Sequence, residues 1–165
     1  MICTLCPRQC GALRTETEGK GFCGMPAQPV VARAMLHQWE EPCISGTRGS
    51  GAVFFSGCVL GCMFCQNGSI SRERFGKTVS AARLREIFED LIAQGAHNIN
   101  LVSPTPYVPA ILEALADPLP VPVVWNTGGY ERVETLQRLE GKVQVWLPDM
   151  KYADSALAAK YSGAA

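Results

Sequence analysis

Cys58, Cys62 and Cys65 lie within Cys58-Val-Leu-Gly-Cys62-Met-Phe-Cys65, directly after the apolar run Ala52-Val53-Phe54-Phe55-Ser56. Thiols clustered at CX3CX2C spacing, in a chain without a secretion signal, point to a soft metal centre rather than a disulfide framework. Three thiolates from one tight loop can hold three irons of a cubic iron–sulfur cluster, whose usual complement is four cysteines. One iron would then be open to another ligand, and that position is where chemistry can occur. Gly57 and Gly61 permit the tight backbone path that such a loop needs. The competing reading is a structural zinc site, for which Cys43 would supply the fourth ligand.

A second group, Cys3, Cys6, Cys10 and Cys23, has the spacing CX2CX3CX12C and enough ligands to close a site. Zinc would staple this segment, and a fully ligated second iron–sulfur cluster could relay electrons. Unmetallated thiols are the third reading, and the sequence leaves all three open. Cys43 otherwise reads as an isolated linker thiol. His37 and His97 have no ligand partner at helical spacing and read as structural or surface residues. Trp125 and Trp146 read as core residues on strands.

Residues 1–50 are rich in Cys, Gly and Pro and are expected to form a small metal-binding lobe and linker, because so short a segment has little core of its own. Val30 to His37 could be a strand, and Pro42 to Gly46 with Gly49-Ser50-Gly51 reads as the linker. Residues 51–165 alternate β-like and α-like patterns. Ala52–Ser56, Ile99–Val102, Val121–Trp125 and Val143–Leu147 read as strands. Leu84, Ile87, Phe88, Leu91 and Ile92 form one face of a helix, with Ser80 as its N-cap and Gly95 as its stop. Val108, Ile111, Leu112 and Leu115 mark a second helix, Val133 to Leu139 a third, and Ser155 to Tyr161 a fourth. Consecutive βα units predict an α/β fold with parallel strands and right-handed crossovers. Such sheets bind ligands at the C-terminal ends of their strands. The polar or metal-binding segments follow those ends: Cys58–Cys65, Ser103-Pro104-Thr105, Asn126-Thr127-Gly128-Gly129 and Asp149-Met150-Lys151.

Lysine plus arginine and aspartate plus glutamate each total 15, so no basic excess invites nucleic acid or anionic lipid. No apolar run reaches the roughly 18 residues of a membrane span. A soluble cytoplasmic protein is expected, and reduced thiols are the rule there.

Cys58-X3-Cys62-X-Phe64-Cys65 after a first strand, with an aromatic before the third cysteine, resembles the radical S-adenosylmethionine (radical SAM) superfamily. Cys3-Thr4-Leu5-Cys6-Pro7-Arg8-Gln9-Cys10, Phe54-Phe55-Ser56-Gly57-Cys58, Phe64-Cys65-Gln66-Asn67 and Asp149-Met150-Lys151 resemble its pyruvate formate-lyase activating-enzyme-like branch more narrowly. The resemblance implies a 4Fe-4S cluster on Cys58, Cys62 and Cys65, with SAM chelating the open iron. It implies reductive cleavage to methionine and a 5′-deoxyadenosyl radical, fed by an electron donor such as flavodoxin or ferredoxin. The radical would abstract hydrogen from a glycyl-radical enzyme or from a small molecule. A non-catalytic zinc-binding protein is the alternative of a different class.

In that family, Gly-Gly-Glu often follows the second strand, whereas this chain has Val102-Ser103-Pro104-Thr105-Pro106. Ser103 and Thr105 are therefore SAM-binding candidates through hydroxyls and carbonyls, and a helix-initiating turn capped by Thr105 is the plainer reading. Asn126 matches the family's polar segment after the third strand, where the glycines could equally serve a turn. Asp149 and Lys151 match its Asp-X-Lys, with a surface ion pair as the alternative. Family barrels usually have six βα units and four are countable here, so the expectation is a truncated barrel with an exposed sheet edge.

Overall fold

The computed structural model describes residues 2–164. Val30–His37 (β1) and Ser50–Phe55 (β2) form an antiparallel pair. Ile99–Val102 (β4), Val123–Thr127 (β5) and Val145–Pro148 (β6) then add in parallel to β2. A two-residue strand, Lys77–Thr78 (β3), pairs with the outer side of β1, giving the order β3-β1-β2-β4-β5-β6. A boundary at residue 50 thus falls inside one sheet, at the first residue of β2. Pro42–Ser45 (α1) is a single helical turn rather than loose chain, with Ile44 and Ser45 buried. Asn98 holds it down, its Nδ2 donating to the Ile44 carbonyl at 2.7 Å.

The crossovers are helical because their apolar residues recur at helical spacing. Ala81–Ala93 (α3) buries Leu84, Phe88 and Leu91 against the sheet. The Ser80 hydroxyl accepts from the Arg83 amide at 3.1 Å, satisfying one of the free donors of the first turn. Gly95, at φ +99, follows the end of that helix in a conformation that favours glycine. Val108–Ala114 (α4) is preceded by a 3-10 turn, Thr105–Tyr107, and buries Val108 and Ile111. Val133–Gln137 (α5) is shorter than its apolar pattern, and Leu139 reaches the core from beyond its end. Ser155–Ser162 (α6) is capped by Asp154, whose carboxylate accepts from the Ala156 and Leu157 amides.

Val53, Leu101 and Trp125 face these helices in one continuous core. The other face of the sheet carries Phe54, Val102, Asn126 and Leu147 side by side in register. Trp146 departs from expectation: it is 42% exposed, because it stands on an edge strand with no outer neighbour. The N-terminal segment is also not separate from this core. Leu5 and Met25 insert into it, and the buried Arg14 donates to the carbonyls of Met25 (2.9 Å) and Pro106 (2.6 Å).

Two shorter elements complete the path. Gly68–Ser71 (α2) follows the cysteine loop, and its Ile70 carbonyl accepts from the Gly57 amide at 3.0 Å. Among the described residues, no helix is long and apolar enough to cross a membrane.

Candidate metal centre and its cavity

The loop from Gly57 to Cys65 leaves the C-terminal end of β2. Tyr107 anchors its start: the ring is fully buried and its hydroxyl donates to the Ser56 carbonyl at 2.8 Å. Gly57 turns there at φ +77, and a Cβ would run into the Met25 side chain, so a larger residue would be both strained and crowded. Gly61 lies against Phe22, and its amide donates to the Ser162 carbonyl at 3.0 Å.

Cys58, Cys62 and Cys65 open onto one cavity of about 380 Å³. Ser103 from the end of β4, Asn126 from β5, and Asp149 and Lys151 beyond β6 line the same space. Strand ends therefore gather four of the five non-cysteine candidates. An adjoining hollow of about 430 Å³ shares Leu60, Gly128, Asp149 and Lys151 with it and adds Tyr130 and Tyr152. At Gly128 a Cβ would stand 2.7 Å from Leu60 Cδ1, so glycine lets the end of β5 approach the cysteine loop.

Thr105 lies elsewhere. It is buried, it opens the 3-10 turn without capping it, and its hydroxyl donates to Glu131 Oε1 at 2.6 Å. The Thr127 hydroxyl donates to the same carboxylate oxygen. Asn126 points its amide at Glu40 Oε2 (3.2 Å), which also accepts from Asn100 (2.8 Å). Neither glutamate was apparent in the sequence, since both pairings are long-range or depend on a turn. Cys43 is exposed on α1, before β2 begins, whereas the triad follows its end. Six residues of strand, about 20 Å at roughly 3.3 Å each, lie between them, so Cys43 does not complete the triad.

Each ligand-candidate sulfur receives one donor. The Leu60 amide donates to Cys58 Sγ at 3.4 Å, the Ser162 hydroxyl to Cys62 Sγ at 2.8 Å, and the Ser71 hydroxyl to Cys65 Sγ at 3.3 Å. Burial pushes the Cys58 thiol up, and the neighbouring Cys62 and Cys65 add to this, against the Leu60 bond and the Lys151 charge. Three such thiolates are stable together only with a cation among them. Lys151 donates to Asp149 Oδ2 at 2.7 Å. Burial alone would lower the Lys151 ammonium, but Asp149 and the two thiols Cys62 and Cys58 hold it above its ordinary value.

Among the described residues, no three Cys, His, Asp or Glu side chains converge on a single-ion site. A cubane takes one thiolate per iron, and the three thiols line one cavity. Residues 45–152 match the model of the 4Fe-4S single cluster domain, well over half of the chain. The chain belongs to this family. As a 4Fe-4S single-cluster protein it binds iron and sulfide, and the matched range contains the triad but not the N-terminal quartet. It is also 33% identical over 162 residues to an uncharacterized protein of Methanocaldococcus jannaschii, an alignment covering 93% of this chain and 46% of that protein. The chain thus spans about half the length of this curated relative.

The quartet of this single-cluster protein is drawn into one neighbourhood. Cys3 and Cys6 are buried, and burial pushes the Cys6 thiol up, with Cys3, Cys23 and Cys10 each adding to it. Cys10 is exposed, and the Ala12 amide holds its thiol below the ordinary value. None of the eight cysteines is in a disulfide.

Proposed function

We propose that the chain carries the cluster and cofactor half of a radical SAM oxidoreductase, with β2, β4, β5 and β6 and their helices as four units of a partial (β/α) barrel. One observation carries this reading. The CX3CX2C loop and the ends of three further parallel strands line a single cavity, with a lysine–aspartate pair facing the thiols. Lys151 would pair with the SAM carboxylate, Asp149 with its ammonium or a bound cation, and Asn126 and Ser103 would offer polar groups to the rest. When bound beside the reduced cluster, SAM supplies a 5′-deoxyadenosyl radical by cleavage of its sulfonium. The chain's part is to hold the cofactor and limit water access.

The substrate reading is hydrogen abstraction that activates a glycyl-radical enzyme, with a small molecule as the alternative. A flavodoxin- or ferredoxin-like donor would deliver the electron in a reducing cytoplasm. For Cys3, Cys6, Cys10 and Cys23 we propose a second metal site, zinc or a further cluster, whose thiols would have to draw closer than they stand here; metal analysis of the parent chain against a Cys6→Ala variant tests it. The deciding experiment is anaerobic reconstitution followed by incubation with SAM and dithionite. 5′-Deoxyadenosine is expected. Its absence from the iron-loaded full-length protein overturns the radical SAM reading while leaving the cluster in place.

A further inference from the structure

The C-terminal end of α6 is built into the cysteine loop. The Ser162 carbonyl accepts from the Gly61 amide (3.0 Å) and the Tyr161 carbonyl from the Met63 amide (2.9 Å), so the backbone on both sides of Cys62 is tied to it. Arg8 fixes the same junction from behind. Its Nε donates to the Val59 carbonyl at 2.6 Å, and its other nitrogens donate to the carbonyls of Gly163 (2.7 Å) and Ser162 (3.2 Å). Ser162 is fully buried, and its hydroxyl lies 2.8 Å from Cys62 Sγ and 2.7 Å from the Tyr152 hydroxyl.

A serine hydroxyl has one proton. A thiolate can only accept, so that proton goes to Cys62, and the Tyr152 hydroxyl donates in turn to Ser162. The chain Tyr152 to Ser162 to Cys62 therefore has one direction. We propose that Ser162 is a positioning residue of the cluster, setting its reduction potential through the hydrogen bond to Cys62, with Tyr152 supporting that bond. The reduced cluster carries one more negative charge than the oxidised one, and a hydrogen bond to a ligand sulfur stabilises it more. Removing the bond moves the potential to more negative values. The inference rests on the triad holding the cluster.

The test uses the whole chain, reconstituted anaerobically, with iron and sulfide counted and the midpoint read by electron paramagnetic resonance during a mediated titration. Ser162→Ala is expected to keep its iron and sulfide while the oxidised-to-reduced ratio at the parent midpoint rises about three- to tenfold. Tyr152→Phe is expected to move it the same way by less, and Ser162→Thr, which restores a hydroxyl, to return it toward the parent. An iron-loaded Ser162→Ala with the parent's midpoint overturns the proposal. Should that variant lose its cluster, an unmoved midpoint in Tyr152→Phe does the same. A parent chain that takes up no iron or sulfide overturns the triad reading and this inference with it, and iron content separates the two failures.

Discussion

The guanidinium of Arg8 and the carbonyl of Val59 meet at 2.6 Å across 51 residues of sequence, joining the N-terminal segment to the cysteine loop. The same side chain lies over the Phe22 ring, 3.3 Å from its centroid. Only a planar fork can serve these directions together. Arg8→Lys is expected to cost about 2–3 kcal/mol, lowering the unfolding temperature by roughly 5–10 °C. Thermal unfolding followed by circular dichroism measures this, and a shift under about 2 °C would show that the fork is not needed.

Alanine at Cys58, Cys62 or Cys65 removes one of the proposed cluster ligands, and each variant is expected to lose stoichiometric iron and sulfide. Cys43→Ala, on the opposite end of β2, is expected to keep both. Colorimetric iron and sulfide analysis after anaerobic reconstitution tests the contrast, and loss in the Cys43 variant would move the site.

Lys151 provides a pH test. Its ammonium is held above its ordinary value chiefly by Asp149, so the stabilisation of that pair persists as pH rises through about 10.5 and is lost only past the raised value. SAM affinity is therefore expected to show no Lys151 titration between about pH 7 and 9, and Lys151→Met to weaken it about tenfold throughout, near 1.4 kcal/mol. Equilibrium dialysis across that range checks both, and an affinity that falls with a midpoint inside it would contradict the assignment.

Thr105 and Thr127 share one carboxylate oxygen of Glu131. Thr105→Val leaves that oxygen one donor short in a half-buried setting, at about 1–2 kcal/mol. The expected signature is reduced stability with unchanged SAM affinity. A weakened affinity at parental stability would return Thr105 to the cofactor.

The legible parts of this molecule are its local ones. Cys58, Cys62 and Cys65 announce themselves because all three thiols come from one loop, and Leu84, Phe88 and Leu91 because a single helix repeats its apolar face. Asp149 and Lys151 stand out in the sequence through their match to the Asp-X-Lys of the family the chain resembles, and the structure sets both on the cavity that the cysteines line. Ser162 had no such signal, since a serine in an alanine-rich helix gains meaning only once the fold sets it against Cys62, 100 residues earlier. Glu131 and Glu40 were hidden similarly, by partners on other elements. Trp146 departs from the core reading because apolar alternation does not reveal which strand ends a sheet. Val30–His37 reads as a strand and is one, held by pairing with β2 and β3, whereas the helical turn at Pro42–Ser45 has no pattern of its own to reveal it.

The distance along the chain between Cys62 and Ser162 also sets a clock. At about 5–20 residues per second of synthesis, the cysteine loop is made roughly 5–20 s before the serine that will bind its central thiolate. Throughout that interval the three thiols lack the helix end that later buries Cys62, and oxidation favours accessible thiolates. Under oxidising conditions the loop would therefore be exposed before the helix end arrives, and slowing translation there is expected to cost the protein iron before it costs it fold.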